Sequence, residues 1–354
     1  MVNFRKILSF FKNKKVFITG HTGFKGAWLA YMLDQAGAIT NGYSLAPETK
    51  PNLFENLKLS KRFNSITGDI RDYNSLNKCL KDFEPEFVFH LAAQPLVLES
   101  YEFPFKTHST NYNGTLNLLE SLRSLNIYPT SLFITTDKVY KNIEDGRLFS
   151  EDDSLGGIDP YSASKSASEI LISSYYNSFF TKHCGISSVR AGNVIGGGDW
   201  SKFRLIPDII RANYNNIKLQ IRNLEAVRPW QHVLEALFGY LLLAYNLDKR
   251  PQEFSQSWNF GPSKINIKTV SDILDQANKK DINPQLNLLN DPYKETKILA
   301  LNSSKAFEML NWSPRWDFEK TMDITFQWYK NFYEGQEANQ LIKKDIEFYL
   351  NISY

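Results

Sequence analysis

The chain has 354 residues, 42% of them apolar, a size that supports one large α/β domain with a smaller lobe and excludes wholesale disorder. Its 41 basic and 38 acidic residues are interspersed and leave a net charge of +3, so no nucleic acid and no membrane is expected as a partner, while small anionic ligands stay open. Cys79 and Cys184 have no CxxC or Cys/His spacing, which speaks against a disulfide framework and a zinc site and fits a reducing cytoplasm.

Phe4, Ile7, Leu8, Phe10 and Phe11 fall among basic residues in Met1 to Lys15. This apolar run is too short and broken for a signal segment, and its spacing predicts a short helix packed on the domain. Val16 to Thr19 reads as a buried strand, the glycines at 20, 23 and 26 as a turn, and Ala27 to Ala36 as a helix ended by Gly37. Strand-like runs follow at Ile39 to Leu45, Ser65 to Gly68, Phe87 to Leu91, Ser131 to Thr135 and Ser187 to Ala191, and helical patterns at Tyr73 to Lys81, Tyr112 to Ser124 and Ser162 to Phe180 alternate with them. Parallel strands need crossover helices, so this alternation predicts an α/β fold, a doubly wound parallel sheet of Rossmann-like type. Beyond Gly192 the pattern turns irregular, and residues 192–354 are expected to form mainly a smaller C-terminal substrate-binding lobe, with some segments returning to the 1–191 dinucleotide-binding domain.

Gly20-His21-Thr22-Gly23-Phe24-Lys25-Gly26 follows a strand and opens a helix, where backbone amides can approach a pyrophosphate at the positive helix end. No Lys-Ser/Thr follows the last glycine, which excludes a Walker A loop. The end of the second strand, Gly42-Tyr43-Ser44-Leu45-Ala46, lacks the acidic residue that selects NAD over NADP. Asp69 after the third strand either accepts a hydrogen bond from an adenine amine or caps the helix near Tyr73. Tyr161 and Lys165 are four apart on a predicted helix, so they share a face, and the ammonium can lower a phenol pKa that is unperturbed near ~10. Tyr293 and Lys297 match the same spacing, but lie in the capping lobe with no catalytic strand before them, and are set aside as coincidence. Thr136-Asp137-Lys138 sits at the end of a strand, on the edge where such sheets carry their sites, so hydroxyl, acid and amine are expected to face one cleft; the alternative is a strand-end turn with a surface ion pair. His21, His90, His108, His183 and His232 are scattered without metal-ligand spacing, and no metal is expected.

These motifs, with Leu91-Ala92-Ala93-Gln94-Pro95, the block Arg190 to Trp200 and Arg228-Pro229-Trp230-Gln231-His232-Val233, resemble the extended short-chain dehydrogenase/reductase family over nearly the whole chain, and within it the nucleotide-sugar 4,6-dehydratases. The resemblance implies NAD as cofactor, a nucleoside-diphosphate hexose as substrate, and a homodimer or homotetramer. Lys138 after Asp137, where a glutamate is usual in the dTDP-glucose branch, favours CDP-glucose.

The resemblance also implies roles. Tyr161 with Lys165 takes the proton of the C4 hydroxyl, Thr136 bonds the C4 oxygen, Asp137 protonates the departing C6 hydroxyl, and Lys138 is a candidate for the C5 base, for orienting a water or for balancing Asp137. Implied cofactor contacts are Gly20, Thr22, Gly23, Phe24, Lys25, Gly26, Asp69, Ile70, Leu91, Ala92, Ala93, Asn111, Tyr161 and Lys165; implied substrate contacts are Gln94, Asn193, Arg204 and Arg228. Departures from the dehydratase pattern at Leu98, Phe203 and Lys294 bear on sugar and base specificity. The rival readings within the family are a dehydratase for another nucleotide sugar and a C4 epimerase, which needs only the Tyr-Lys pair, so Asp137-Lys138 speaks against it; a protein that binds NAD and a nucleotide sugar without turnover is the reading from another class.

Overall fold

The computed structural model describes residues 3–143, 145–263, 267–289 and 299–351; Tyr293, Lys294 and Lys297 lie outside the described residues. Seven strands form one parallel sheet in the spatial order Ser257–Phe260, Ile186–Ala191, Thr130–Ile134, Phe87–His90, Lys15–Thr19, Ile39–Ser44, Asn64–Thr67. The chain therefore winds outward in one direction from Lys15–Thr19, then returns to its other side at Phe87–His90. Thr19 pairs with both Tyr43 and His90, which puts the topological switch point at the end of the first strand.

Side chains of these strands alternate between two apolar layers, because a strand turns successive residues to opposite faces. Val16, Ile18, Phe87, Phe89, Leu132 and Ile134 join the larger core, and Phe17, Val88 and Phe133 the second. Helices Phe24–Gln35 and Val233–Lys249 cover the first layer, while Tyr73–Phe83, Gly114–Ser124 and Pro160–Tyr175 cover the second. The fold is thus the doubly wound α/β arrangement that the alternating pattern predicts. The amino-terminal helix, Phe4–Phe10, is capped by Asn3 and buries Phe4 against Phe238 with ring centroids 4.7 Å apart.

Two local details differ from the sequence expectation. The helix at Tyr73 is capped by Asp72, whose carboxylate accepts from Ser75 N, and not by Asp69. The helix expected from Tyr112 becomes regular only at Gly114, after a π turn over Ser109–Asn113.

Ser257–Phe260, far along the chain, is the edge strand of the main sheet beside Ile186–Ala191. Outside that sheet, Val227–His232 pairs parallel with Asn193–Ile195 and antiparallel with Ile267–Thr269. Trp28, on the helix after the glycine turn, donates from its indole to Gly197 O at 2.9 Å, and a Cβ on Gly197 would stand 2.0 Å from Trp328. The Gly196 to Asp199 loop is thereby wedged between the first helix of the sheet and the helix Phe318–Tyr333.

Candidate active site

The glycine turn leaves the switch point at Gly20, whose φ of +75° is one that L side chains rarely adopt. A Cβ there would lie 2.6 Å from Ala92 N, and one on Gly26 would lie 2.1 Å from Gly20 O, so helix, turn and the Leu91–Ala92 segment close up tightly. At Gly23 the nearest atom to an added Cβ is Gly20 O at 3.5 Å, which leaves the approach from above clear. Gly23 also begins the helix Phe24–Gln35 without any side-chain cap, so its first-turn amides keep their donors for a ligand. This cradle fits a dinucleotide pyrophosphate. Thr22 ties it to the second strand through Ser44 Oγ at 2.7 Å and Leu45 O at 2.9 Å. Further along the same edge Asp69, Arg71, Asp72, Phe105 and Ser109 line a shallow cavity, with the Asp69 carboxylate gripped by Arg71 through Nε at 3.0 Å and Nη2 at 2.5 Å.

Thr136 lies two residues beyond the strand Thr130–Ile134 and caps the turn Asp137–Val139. Opposite, Asp159 forms a capping box with Ser162, and Pro160 starts the helix Pro160–Tyr175, on which Tyr161 and Lys165 lie one turn apart. The structure gathers these residues into one buried group. Thr136 Oγ1 donates to Asp137 Oδ1 at 3.0 Å and also lies against the Tyr161 phenol. Burial pushes the Asp137 carboxyl above its ordinary range, while Lys138, Thr136 and Arg228 pull the other way. Gly192 makes room for that carboxylate, since a Cβ there would come within 3.0 Å of Oδ2.

The electrostatics of the Tyr-Lys pair differ from the expectation. Burial raises the Tyr161 phenol to about 12, opposed by Thr136 and Arg204, instead of an ammonium lowering it. Lys165 Nζ instead donates to Ile134 O at 3.1 Å. Burial lowers Lys165 to about 8 against the support of Glu169. The physical reason is desolvation: in a closed cleft both the phenolate and the ammonium lose hydration, and that loss outweighs the attraction implied by i, i+4 spacing. Lys25 reaches the same space and is pulled to about 7 by burial, Arg204 and Lys165, with Asp137 opposing.

On the side of the smaller lobe, Arg204 donates to the buried Asp199 at 2.9 Å and faces Tyr161. Arg228, on Val227–His232, donates to Val227 O at 2.7 Å and is close enough to act on Asp137. Asn193 begins the strand that pairs with Trp230. Gln94 and Asn111 are turned inward: Gln94 bonds Leu96 and Thr107, and Asn111 bonds Gln94 and Ser164. They hold the wall of the cleft instead of facing it. Residues that the sequence reading left without a role are Gly192, Asp199, Tyr140, Glu169 and Arg190. Glu169 had a legible signal, since Tyr161, Lys165 and Glu169 follow one another at intervals of four.

A family model described as GDP-mannose 4,6 dehydratase matches residues 17–325. CDP-glucose 4,6-dehydratase of Salmonella typhimurium is 44% identical over 352 residues, covering 97% of this chain and 98% of that one. CDP-paratose 2-epimerase of Salmonella typhi is 23% identical, covering 89% and 98%. Among solved structures, dTDP-glucose 4,6-dehydratase of Bacillus anthracis in complex with NAD has a TM-score of 0.76 at 22% identity, covering 92% of this chain and 99% of that one, which is a likeness of fold.

Proposed function

The chain belongs to the GDP-mannose 4,6-dehydratase family within the extended short-chain dehydrogenases/reductases, and from this membership and the site we propose that it catalyses the NAD-dependent 4,6-dehydration of a nucleoside-diphosphate hexose, CDP-glucose to CDP-4-keto-6-deoxyglucose. The observation that carries the reading is Asp137, a buried acid held by Thr136 beside Tyr161, because a C4 epimerase has no use for a proton donor there. The 44% identity to a CDP-glucose 4,6-dehydratase over nearly both chains supports the choice of sugar and base.

Gly20 to Gly26 with Thr22, Asp69 and Ile70, and Leu91, Ala92 and Ala93 would hold NAD, which when bound would supply a hydride acceptor for C4 and a hydride donor for C6. Tyr161 takes the C4 hydroxyl proton. Burial raises its pKa, Thr136 and Arg204 oppose that rise, and the positively charged ring of oxidised NAD, when bound, would favour the phenolate further. Thr136 donates to the C4 oxygen as charge develops. The C4 ketone acidifies the C5 hydrogen, whose proton Lys138 takes as a neutral amine, and Asp137, held above the usual carboxylate range, delivers a proton to the leaving C6 hydroxyl. Arg228 and Arg204 offer forks of donors to the diphosphate, and Asn193 completes that wall.

In this reading residues 1–191 form the cofactor domain and 192–354 mainly the substrate lobe. Exposed Tyr101, Phe103, Phe105 and Phe179 support self-association as a dimer or tetramer. A cytoplasmic setting is supported by the free thiols of Cys79 and Cys184. Among the described residues no helix is long and apolar enough to cross a membrane. Incubation with a panel of nucleoside-diphosphate hexoses tests the proposal: a 4-keto-6-deoxy product from CDP-glucose is expected, and a C4 epimer or no conversion would overturn it.

A further inference from the structure

Behind the candidate site lies an ion pair that nothing in the proposed reaction uses. Arg190 grips Glu169 with Nε to Oε1 at 3.0 Å and Nη2 to Oε2 at 2.8 Å, and both side chains are 2–3% exposed. Burying such a pair gains little stability over an apolar filling of the same space, so its presence asks for an explanation in what the two side chains hold.

They hold the two ends of one short turn. Thr135 donates from Oγ1 to Glu169 Oε1 at 2.5 Å, and Tyr140 OH accepts from Arg190 Nη1 at 2.7 Å while donating to Asn259 Oδ1 at 2.8 Å. Between these two residues lie Thr136, Asp137, Lys138 and Val139. Glu169 itself stands on the helix of Tyr161 and Lys165, one turn beyond Lys165. Ser188 and Ser257 donate to Glu169 Oε2 at 2.6 and 3.2 Å, which fastens Glu169 to the strand Ile186–Ala191 that carries Arg190 and to the edge strand Ser257–Phe260.

We propose that Glu169 and Arg190 are positioning residues that set the Thr136-Asp137-Lys138 turn against the Tyr161-Lys165 helix, by gripping the turn at Thr135 on one side and Tyr140 on the other. This rests on the dehydratase reading for its kinetic consequence and on the network alone for its structural one. Loss of the grip displaces the acid more than the phenol, because Asp137 rides on the turn and Tyr161 on the helix. Glu169 also supports the Lys165 ammonium, which donates to Ile134 O and has the cationic Lys25 near it.

The test uses Tyr140→Phe and Thr135→Val, near-isosteric changes that leave every charge in place, with Glu169→Gln as the stronger variant. Each mild variant is expected to lower kcat about tenfold with KM changed less than twofold, since small misplacement of a reacting group is costly. Reduced nicotinamide should rise in the steady state as elimination slows behind oxidation. Hydrogen exchange, measured without substrate, should quicken in the peptide spanning 135–141 and stay unchanged in the strand Lys15–Thr19. A pair serving stability alone would lower the melting temperature and leave the kcat-to-KM split, the nicotinamide signal and local exchange as in wild type, and that outcome overturns the proposal. If wild-type protein converts no nucleotide sugar, the dehydratase reading fails, while the exchange comparison still decides the positioning role.

Discussion

A methyl group on Gly192 would stand 3.0 Å from Oδ2 of Asp137 and 3.5 Å from Pro229 Cγ. The absent side chain at Gly192 is therefore what lets the acid keep its place between the end of Ile186–Ala191 and the strand Val227–His232. Gly192→Ala forces the carboxylate to give by a few tenths of an ångström. Formation of the 4-keto-6-deoxy product is expected to slow about tenfold, a misplacement effect, with little change in fluorescence-detected NAD affinity. Unaltered product formation in a folded variant would show that the carboxylate tolerates the shift.

Tyr161→Phe keeps the ring in its buried place and removes only the proton acceptor. Turnover should fall by about 10²–10⁴-fold, the usual contribution of a positioned base, while NAD binding stays near wild type. Deuterium at C4 of the sugar should then stay in place. Near wild-type formation of a 4-keto sugar would move the assignment away from Tyr161.

Much of this arrangement is legible in the sequence because it is local. Six of the seven sheet strands match strand-like runs that alternate with helical patterns, and the glycine cradle follows from a strand, a turn and a helix in immediate succession. The seventh strand, Ser257–Phe260, is four residues long and pairs with a partner about seventy residues earlier, so no local period announces it. Spacing places Tyr161 and Lys165 on one face but is blind to burial, and burial sets the sign of the phenol's shift. Gln94 and Asn111 sit in motifs beside the cleft, yet which way an amide turns depends on partners such as Thr107 and Ser164 that sequence order does not reveal.

Three buried histidines give the fold a pH dependence on the acid side. His21, His90 and His232 are held by burial at about 4, 3 and 3 against an ordinary value of 6.5. Their folded values are depressed, so the stability they contribute is fully present above pH 6.5 and lost as pH falls through 4 and 3. Glu235 works the other way: burial raises it from 4.5 to about 7, so its contribution is present below pH 4.5 and lost as pH rises through 7. Between 4.5 and 6.5 the unfolded chain gains three protons and forgoes one, and these four groups weaken the fold by at most about 3 kcal/mol per pH unit of acidification. Urea midpoints measured across this window should fall with pH, and more steeply in Glu235→Gln. A midpoint flat from pH 6.5 to 4.5 would mean that the histidines are protonated in the fold.

Asp137→Asn separates the two halves of the reaction. The amide keeps the shape of the carboxyl and can still meet Thr136, so the wall of the cleft is preserved. It cannot deliver a proton to the C6 hydroxyl, which is a poor leaving group without one. Oxidation at C4 depends on Tyr161 and should survive, since Asp137 enters that step only through its field, which raises the phenol; a neutral Asn relaxes that effect. The variant is expected to accumulate reduced nicotinamide with a 4-keto hexose that still carries its C6 oxygen, seen as absorbance after mixing with substrate and as a trapped sugar lighter than the substrate by two hydrogens and not by a water. Wild-type protein should show little of either. Lys138→Met should stall at C5 instead, with loss of C5 hydrogen exchange into deuterated solvent. Production of the 6-deoxy sugar by Asp137→Asn at an unimpaired rate would place the acid elsewhere in the cleft, and Lys25, pulled to about 7 in the same space, is the next group to replace.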